Sequence, residues 1–180
     1  MKVQRNNVFE TNSSSTHSIT VPRKNVANNI PMTETSIVVE TGEFGWEHAI
    51  YDTPQEVLSY LFTAICINYK QDWKKYTLII DEILSRYKTG LKITWKEPKF
   101  DIEYDNDGNI KYCCLENDYI DHGYKLKKWL EDIFNDNDLL VQTILFGKIE
   151  TDNDNCPYHI DYHDTDTCNN EREYYYFKGN

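Results

Sequence analysis

The sequence predicts an α+β fold: a small twisted antiparallel sheet with a layer of about four helices. Three observations predict it. A helix with a legible cap runs over residues 54–70, and a hairpin with strong turn chemistry occupies 100–115. Helical and strand-like segments also follow one another in mixed order instead of alternating, which argues against a doubly wound parallel sheet. At 180 residues the chain has the length of one domain, 1–180, with an acidic C-terminal region over 149–173.

The first informative stretch is FETNSSSTHS at 9–18, flanked by apolar Val8-Phe9 and by Ile19 to Val21. Small hydroxyl and amide side chains compete for nearby backbone groups, so the run reads as a structured turn, a helix cap or an anion-holding nest anchored by its apolar flanks. SIVVE at 36–40 reads as a strand. GEFGWE at 42–47 breaks it into a loop, with Phe44 and Trp46 as core anchors. Thr53 then suits an N-cap, Pro54 the first helical position and Glu56 the far corner of a capping box. Val57, Leu58, Leu61, Phe62, Ile65 and Tyr69 follow at helical spacing.

A second helix is predicted over 73–88, burying Leu78, Ile79, Ile83, Leu84 and Tyr87 and capped at its C-terminus by Gly90. LKITW at 91–95 and the segments 100–104 and 110–115 read as strands, the last two joined by Asp105-Asn106-Asp107-Gly108-Asn109. That turn has some offsets of a calcium loop. Its twelfth position is Cys114, where a bidentate glutamate is required, and this excludes the reading. A third helix is expected over 123–134, with Leu126, Trp129, Leu130, Ile133 and Phe134 inward. A fourth is expected after a cap at Asn135 or Asp136, burying Leu139, Leu140, Ile144 and Leu145 and stopped by Gly147. Tyr174 to Phe177 reads as a final strand or docking segment.

The formal net charge is −11, and all of the excess acid lies in the second half. Residues 1–100 hold 12 Lys/Arg against 11 Asp/Glu, and residues 101–180 hold 7 against 19. This distribution excludes a conventional nucleic-acid binder, whose footprint is basic. No apolar run approaches the roughly 18 residues that span a bilayer. The N-terminal residues lack the apolar core of a signal peptide, so a cytoplasmic location is expected. Five cysteines, an odd number, then read as reduced thiols, with Cys66 a small core residue.

The blocks FETNSSSTHS (9–18), GEFGWE (42–47), YIDHG (119–123) and ETDNDN (150–155) together resemble a family encoded by phages and other mobile elements of Firmicutes. Members usually carry a longer serine run and a glycine in the last block, where this chain has Thr16 and Asp152. Size, acidity and the same blocks also resemble the type II anti-CRISPR proteins, which inhibit Cas9. That resemblance implies a host-cytoplasmic protein that binds Cas9 or its guide-RNA complex, with no catalysis and no cofactor.

The residues expected to make such contacts are Asp152, Asp154, Asp161, Asp164, Asp166, Glu171 and Glu173, interleaved with tyrosines. Carboxylates can stand in for phosphates in a cationic protein channel. The bland alternative is a solvated acidic loop.

The competing class is an enzyme, a metal-dependent or His/Ser-based hydrolase or nucleotide-modifying enzyme. Cys156, His159, His163 and Cys168 follow a C-x2-H-x3-H-x4-C spacing, and all four side chains bind zinc. The pairs Asp152/Asp154 and Asp164/Asp166 are candidate magnesium ligands. His17 among Ser13, Ser14, Ser15 and Ser18 suggests a nucleophile and base, and His122 is expected to join His17 in space, with Glu43 or Glu47 beside them. A hydrogen-bonded structural cluster accounts for the two histidines equally well.

Overall fold

The computed structural model describes residues 16–22, 34–45, 48–121, 126–152 and 174–179. The α+β expectation holds. Helix α1 (Pro54–Tyr69) begins where the sequence placed it. Thr53 accepts from the Glu56 N–H at 3.3 Å, and Glu56 Oε2 accepts from the Thr53 N–H at 3.2 Å, closing the capping box. Its apolar face is wider than the spacing implied: Tyr60, Thr63 and Ala64 are buried along with the expected Val57, Leu58, Leu61, Phe62, Ile65 and Cys66, whereas Tyr69 is half-buried. The helix runs through the middle of the molecule, in contact with every other α-helix and with strands on two sides.

A 3-10 turn, Lys70–Asp72, leads into α2 (Trp73–Arg86). The inward face of α2 differs from the expected one. Trp73, Thr77, Ile80, Ile83 and Leu84 are buried, whereas Leu78 is 67 % exposed. At 100° per residue Leu78 projects opposite Trp73, so the stripe facing α1 is set by the partner and not by the richest apolar run. The C-terminus is also closed two residues earlier than Gly90. Lys88 takes the left-handed conformation (φ 54°), with Thr89 N–H donating to Leu84 O and Lys88 N–H to Ser85 O, a Schellman pattern. Gly90, at φ 74°, instead turns the chain into the next strand.

Helix α3 (Leu126–Asn135) buries Leu126, Trp129, Leu130 and Ile133. Asp136 caps α4 (Asn137–Phe146), accepting from Leu139 N–H at 3.0 Å. Gly147 ends α4 by close approach: a Cβ there would lie 2.3 Å from Thr143 O.

Among the described residues the strands divide among four small sheets. The largest is antiparallel, in the order β10-β1-β9-β4, formed by Tyr174–Gly179, Thr16–Pro22, Lys148–Asp152 and Ala49–Tyr51. The acidic region therefore opens on a strand, β9, which lies between β1 and β4. Two pairs are parallel: β2 (Thr35–Val39) with β5 (Leu91–Trp95), and β3 (Glu43–Phe44) with β8 (Tyr119–Ile120). The predicted hairpin is β6 (Phe100–Tyr104) with β7 (Ile110–Leu115), its turn organised by the Asp105 carboxylate, which accepts from Asp107 N–H and Asn109 N–H.

One continuous apolar cluster joins Ile19 and Val21 of β1, Val39 of β2, Ile149 of β9 and the inner faces of the four α-helices. Cys66 lies within it, and burial pushes its thiol upward in pKa. Among the described residues no helix is long and apolar enough to cross a membrane.

Candidate functional site

The described end of the polar run, Thr16 to Ser18, lies in a strand, and residues 9–15 lie outside the described residues. Thr16, His17 and Ser18 begin β1, with His17 opposite Thr151 of β9 and Gly179 of β10. Both neighbours in this strand are buried, His17 to 1 % exposure and Ser18 to 3 %. Burial of a polar imidazole requires partners. Nε2 lies 2.5 Å from the Asp121 carbonyl oxygen and Nδ1 lies 3.1 Å from the Tyr60 hydroxyl. A carbonyl only accepts, so Nε2 carries the proton. Nδ1 of the neutral ring then accepts, and the Tyr60 hydroxyl donates to it. Tyr60 is fully buried, and desolvation pushes its phenol far up in pKa, so it stays a donor.

The four sequence blocks meet at this histidine. Phe44 and Gly45, from the second, pair through β3 with Tyr119 and Ile120, from the third. Asp121 N–H donates to Phe44 O at 2.9 Å. Gly45 has φ 99°, and a Cβ there would lie 2.8 Å from His17 Cε1, so glycine is required both by conformation and by the imidazole. Glu150 and Thr151, from the fourth block, lie in β9 beside β1. The Glu150 carboxylate faces His48 Nε2 at 3.2 Å and Lys148 Nζ at 3.1 Å. Thr63 of α1 ties the second block down by accepting from Gly42 N–H at 3.0 Å while donating to Ser59 O.

His17 therefore meets the third block through the Asp121 backbone. His122 itself, Trp46, Glu47 and Ser13 to Ser15 lie outside the described residues. Glu43 is exposed in β3. Asp152 is the last residue of β9, its backbone opposite Thr16. Asp154, Asp161, Asp164, Asp166, Glu171 and Glu173 lie outside the described residues, as do Cys156, His159, His163 and Cys168. Among the described residues no group of three or more His, Cys, Asp or Glu side chains is placed to hold a metal.

A cleft of about 360 Å³ is lined by Phe44, Tyr51, Thr53, Gln55, Glu56 and Ser59. Its aromatic wall is fixed: Phe44 meets Tyr51 and Tyr60 edge-on, each at 5.1 Å between ring centroids. Burial raises the Tyr51 phenol, and a hydrogen bond with Thr151 partly offsets this. Hydrogen bonds from Thr53 hold the Glu56 carboxyl below its usual range.

The β6–β7 hairpin, expected only as a structural element, also presents a distinctive surface. Its base is seated by buried Cys113 and Leu115, while Tyr104 (61 % exposed), Ile110 (46 %) and Tyr112 (52 %) stand in solvent. Asp101, Glu103, Asp105 and Asp107 are all exposed beside them. Its sequence signal is three large apolar side chains flanking the turn, where an ordinary surface hairpin would be polar. Comparison with protein-family models, with curated proteins and with solved structures gives no match for this chain.

Proposed function

We propose that this chain is a mobile-element inhibitor that acts in the bacterial cytoplasm by binding a Cas9-type RNA-guided nuclease or its guide-RNA complex, blocking DNA binding or cleavage without catalysis and without a cofactor. The observation that carries this reading is the set of exposed second-half carboxylates without an ion-pair partner. Glu34 pairs with Lys92, Glu40 with Lys96, Glu82 with Arg86, Glu97 with Lys74, Asp132 with Lys128 and Glu150 with Lys148. Asp101, Glu103, Asp107 and Glu116 are exposed and have no ion-pair partner among the described residues, and the same holds for Glu43, Asp52 and Asp72 of the first half. Unneutralised carboxylates retain their field for a partner, and a positively charged nucleic-acid channel is the complementary surface.

The geometry of His17 supports binding over the hydrolase alternative. Both its nitrogens are engaged, one holding a proton against a carbonyl, so neither is poised to take a proton from a serine.

The test is co-purification with Cas9, with and without guide RNA, together with a DNA-cleavage assay across a salt series and elemental analysis for zinc. The expected result is a metal-free complex whose affinity falls with salt, and weaker inhibition when Asp161, Asp164 and Asp166 are reversed to lysine. Stoichiometric zinc with no complex would favour the enzyme. Affinity that is flat across salt would remove the acidic mechanism.

A further inference from the structure

We infer that the β6–β7 hairpin is a docking arm, in which Tyr112, on one face with Asp101 and Glu103, and Tyr104 with Ile110 on the other face, give apolar anchors to a partner protein whose contact surface is basic. The inference takes from the inhibitor reading only the sign of the partner's charge, and it stands on the arm's own geometry. The hairpin is a two-stranded sheet with no third strand on either edge among the described residues. An isolated ribbon of this kind is marginal in water, and this one is held at its base, where Phe100 packs on the core and Cys113 and Leu115 are buried.

Beyond that base the apolar side chains turn outward. Register places Tyr104 opposite Ile110 and Glu103 opposite Tyr112, with an irregularity between Glu103 and Tyr104. Such a bulge increases local twist and re-aims the side chains that follow it. Tyrosine exposed on a rigid strand offers a large contact area at small entropic cost, which is why aromatics dominate protein contact surfaces.

Charge selects the occupant. Between residues 100 and 115 the chain has four carboxylates, Asp101, Glu103, Asp105 and Asp107, and one cation, Lys111. Tyr112 shares its face with two of them: its phenol is raised chiefly by a hydrogen bond with Cys114, and Asp101 and Glu103 add to the rise. A nucleic acid would be repelled. A second copy would set like charges against each other across the edge, an arrangement that costs energy and protects exposed strands from self-pairing. A basic protein surface with an apolar recess meets both the charge and the aromatic anchor.

The probe is an amphipathic helical peptide of arginine and leucine, titrated into the full chain and followed by backbone amide shifts. The double variants Tyr104→Ser/Tyr112→Ser and Asp101→Asn/Glu103→Asn are run in parallel. All four positions are exposed, so melting temperatures should be close to that of the parent. Shifts concentrated in 100–115, with at least a tenfold loss of affinity in each double variant, are expected. Shifts spread over the whole acidic surface, unchanged affinity in the tyrosine variant, or self-association through the hairpin in sedimentation would overturn the arm. The same variants tested against Cas9 separate the two ideas. Peptide capture by the arm without any Cas9 complex removes the nuclease and leaves the arm. A Cas9 complex indifferent to both variants, with peptide shifts elsewhere, removes the arm and leaves the nuclease.

Discussion

His17 shows what one buried polar side chain does in this protein. Its ring spans from the Asp121 backbone to the Tyr60 hydroxyl, tying the third sequence block and helix α1 to β1. Truncation would leave the fully buried Tyr60 hydroxyl and the half-buried Asp121 carbonyl without the imidazole, and an unsatisfied buried group costs about 1–3 kcal/mol. His17→Ala should therefore destabilise the fold by roughly 3 kcal/mol in chemical denaturation. If the proposed inhibition of a Cas9-type nuclease is correct, the variant should inhibit normally when assayed below its unfolding transition. Loss of function with unchanged stability would instead return His17 to a catalytic role. Gly45 belongs to the same contact, since any Cβ there displaces the imidazole.

Among the elements, α1 has a start under local control. Removing the Thr53 side chain deletes both the Oγ acceptor and its bond to Glu56, and a lost N-cap costs about 1 kcal/mol. The pH dependence follows from Glu56. Its pKa is held below the ordinary 4.5 by hydrogen bonds from Thr53, so its ionised form favours the folded state. That contribution is present above about 4.5 and fades as pH falls through the lower folded value. The stability gap between Thr53→Ala and its parent should narrow in acid; thermal melts from pH 7 downward measure it. Helix α4 shows the opposite kind of control, because Gly147 is fixed by crowding against Thr143 O and not by a left-handed backbone.

At the scale of the molecule, the excess of acid acts over the whole surface. The net charge of −11 is self-repulsive, and the pairs Lys74–Glu97, Arg86–Glu82, Lys92–Glu34 and Lys96–Glu40 sit on exposed side chains, where each contributes little. Salt screens repulsion between dispersed like charges over a Debye length of about 10 Å at 0.1 M. The melting temperature should therefore rise between low salt and physiological ionic strength. A fall would mean that favourable pairs outweigh the repulsion. Binding to a cationic partner has the opposite salt response, so the two effects are separable in one titration series.

The amino-acid order alone determined those features whose cause is local. The α1 capping box, the Asp105 turn with its hairpin and the Asp136 cap depend on residues within a few positions of one another. The convergence of four distant blocks on His17 was legible only as a resemblance, because periodicity carries no information about which loops meet. Tertiary structure decided that meeting, and it decided that Thr16 to Ser18 extend a sheet by pairing with β9 and β10. It also chose the buried stripe of α2 and left Tyr104, Ile110 and Tyr112 uncovered. Burial depends on which surfaces the rest of the chain brings up, and strand pairing on partners more than a hundred residues away. Neither is encoded in a side chain or its near neighbours.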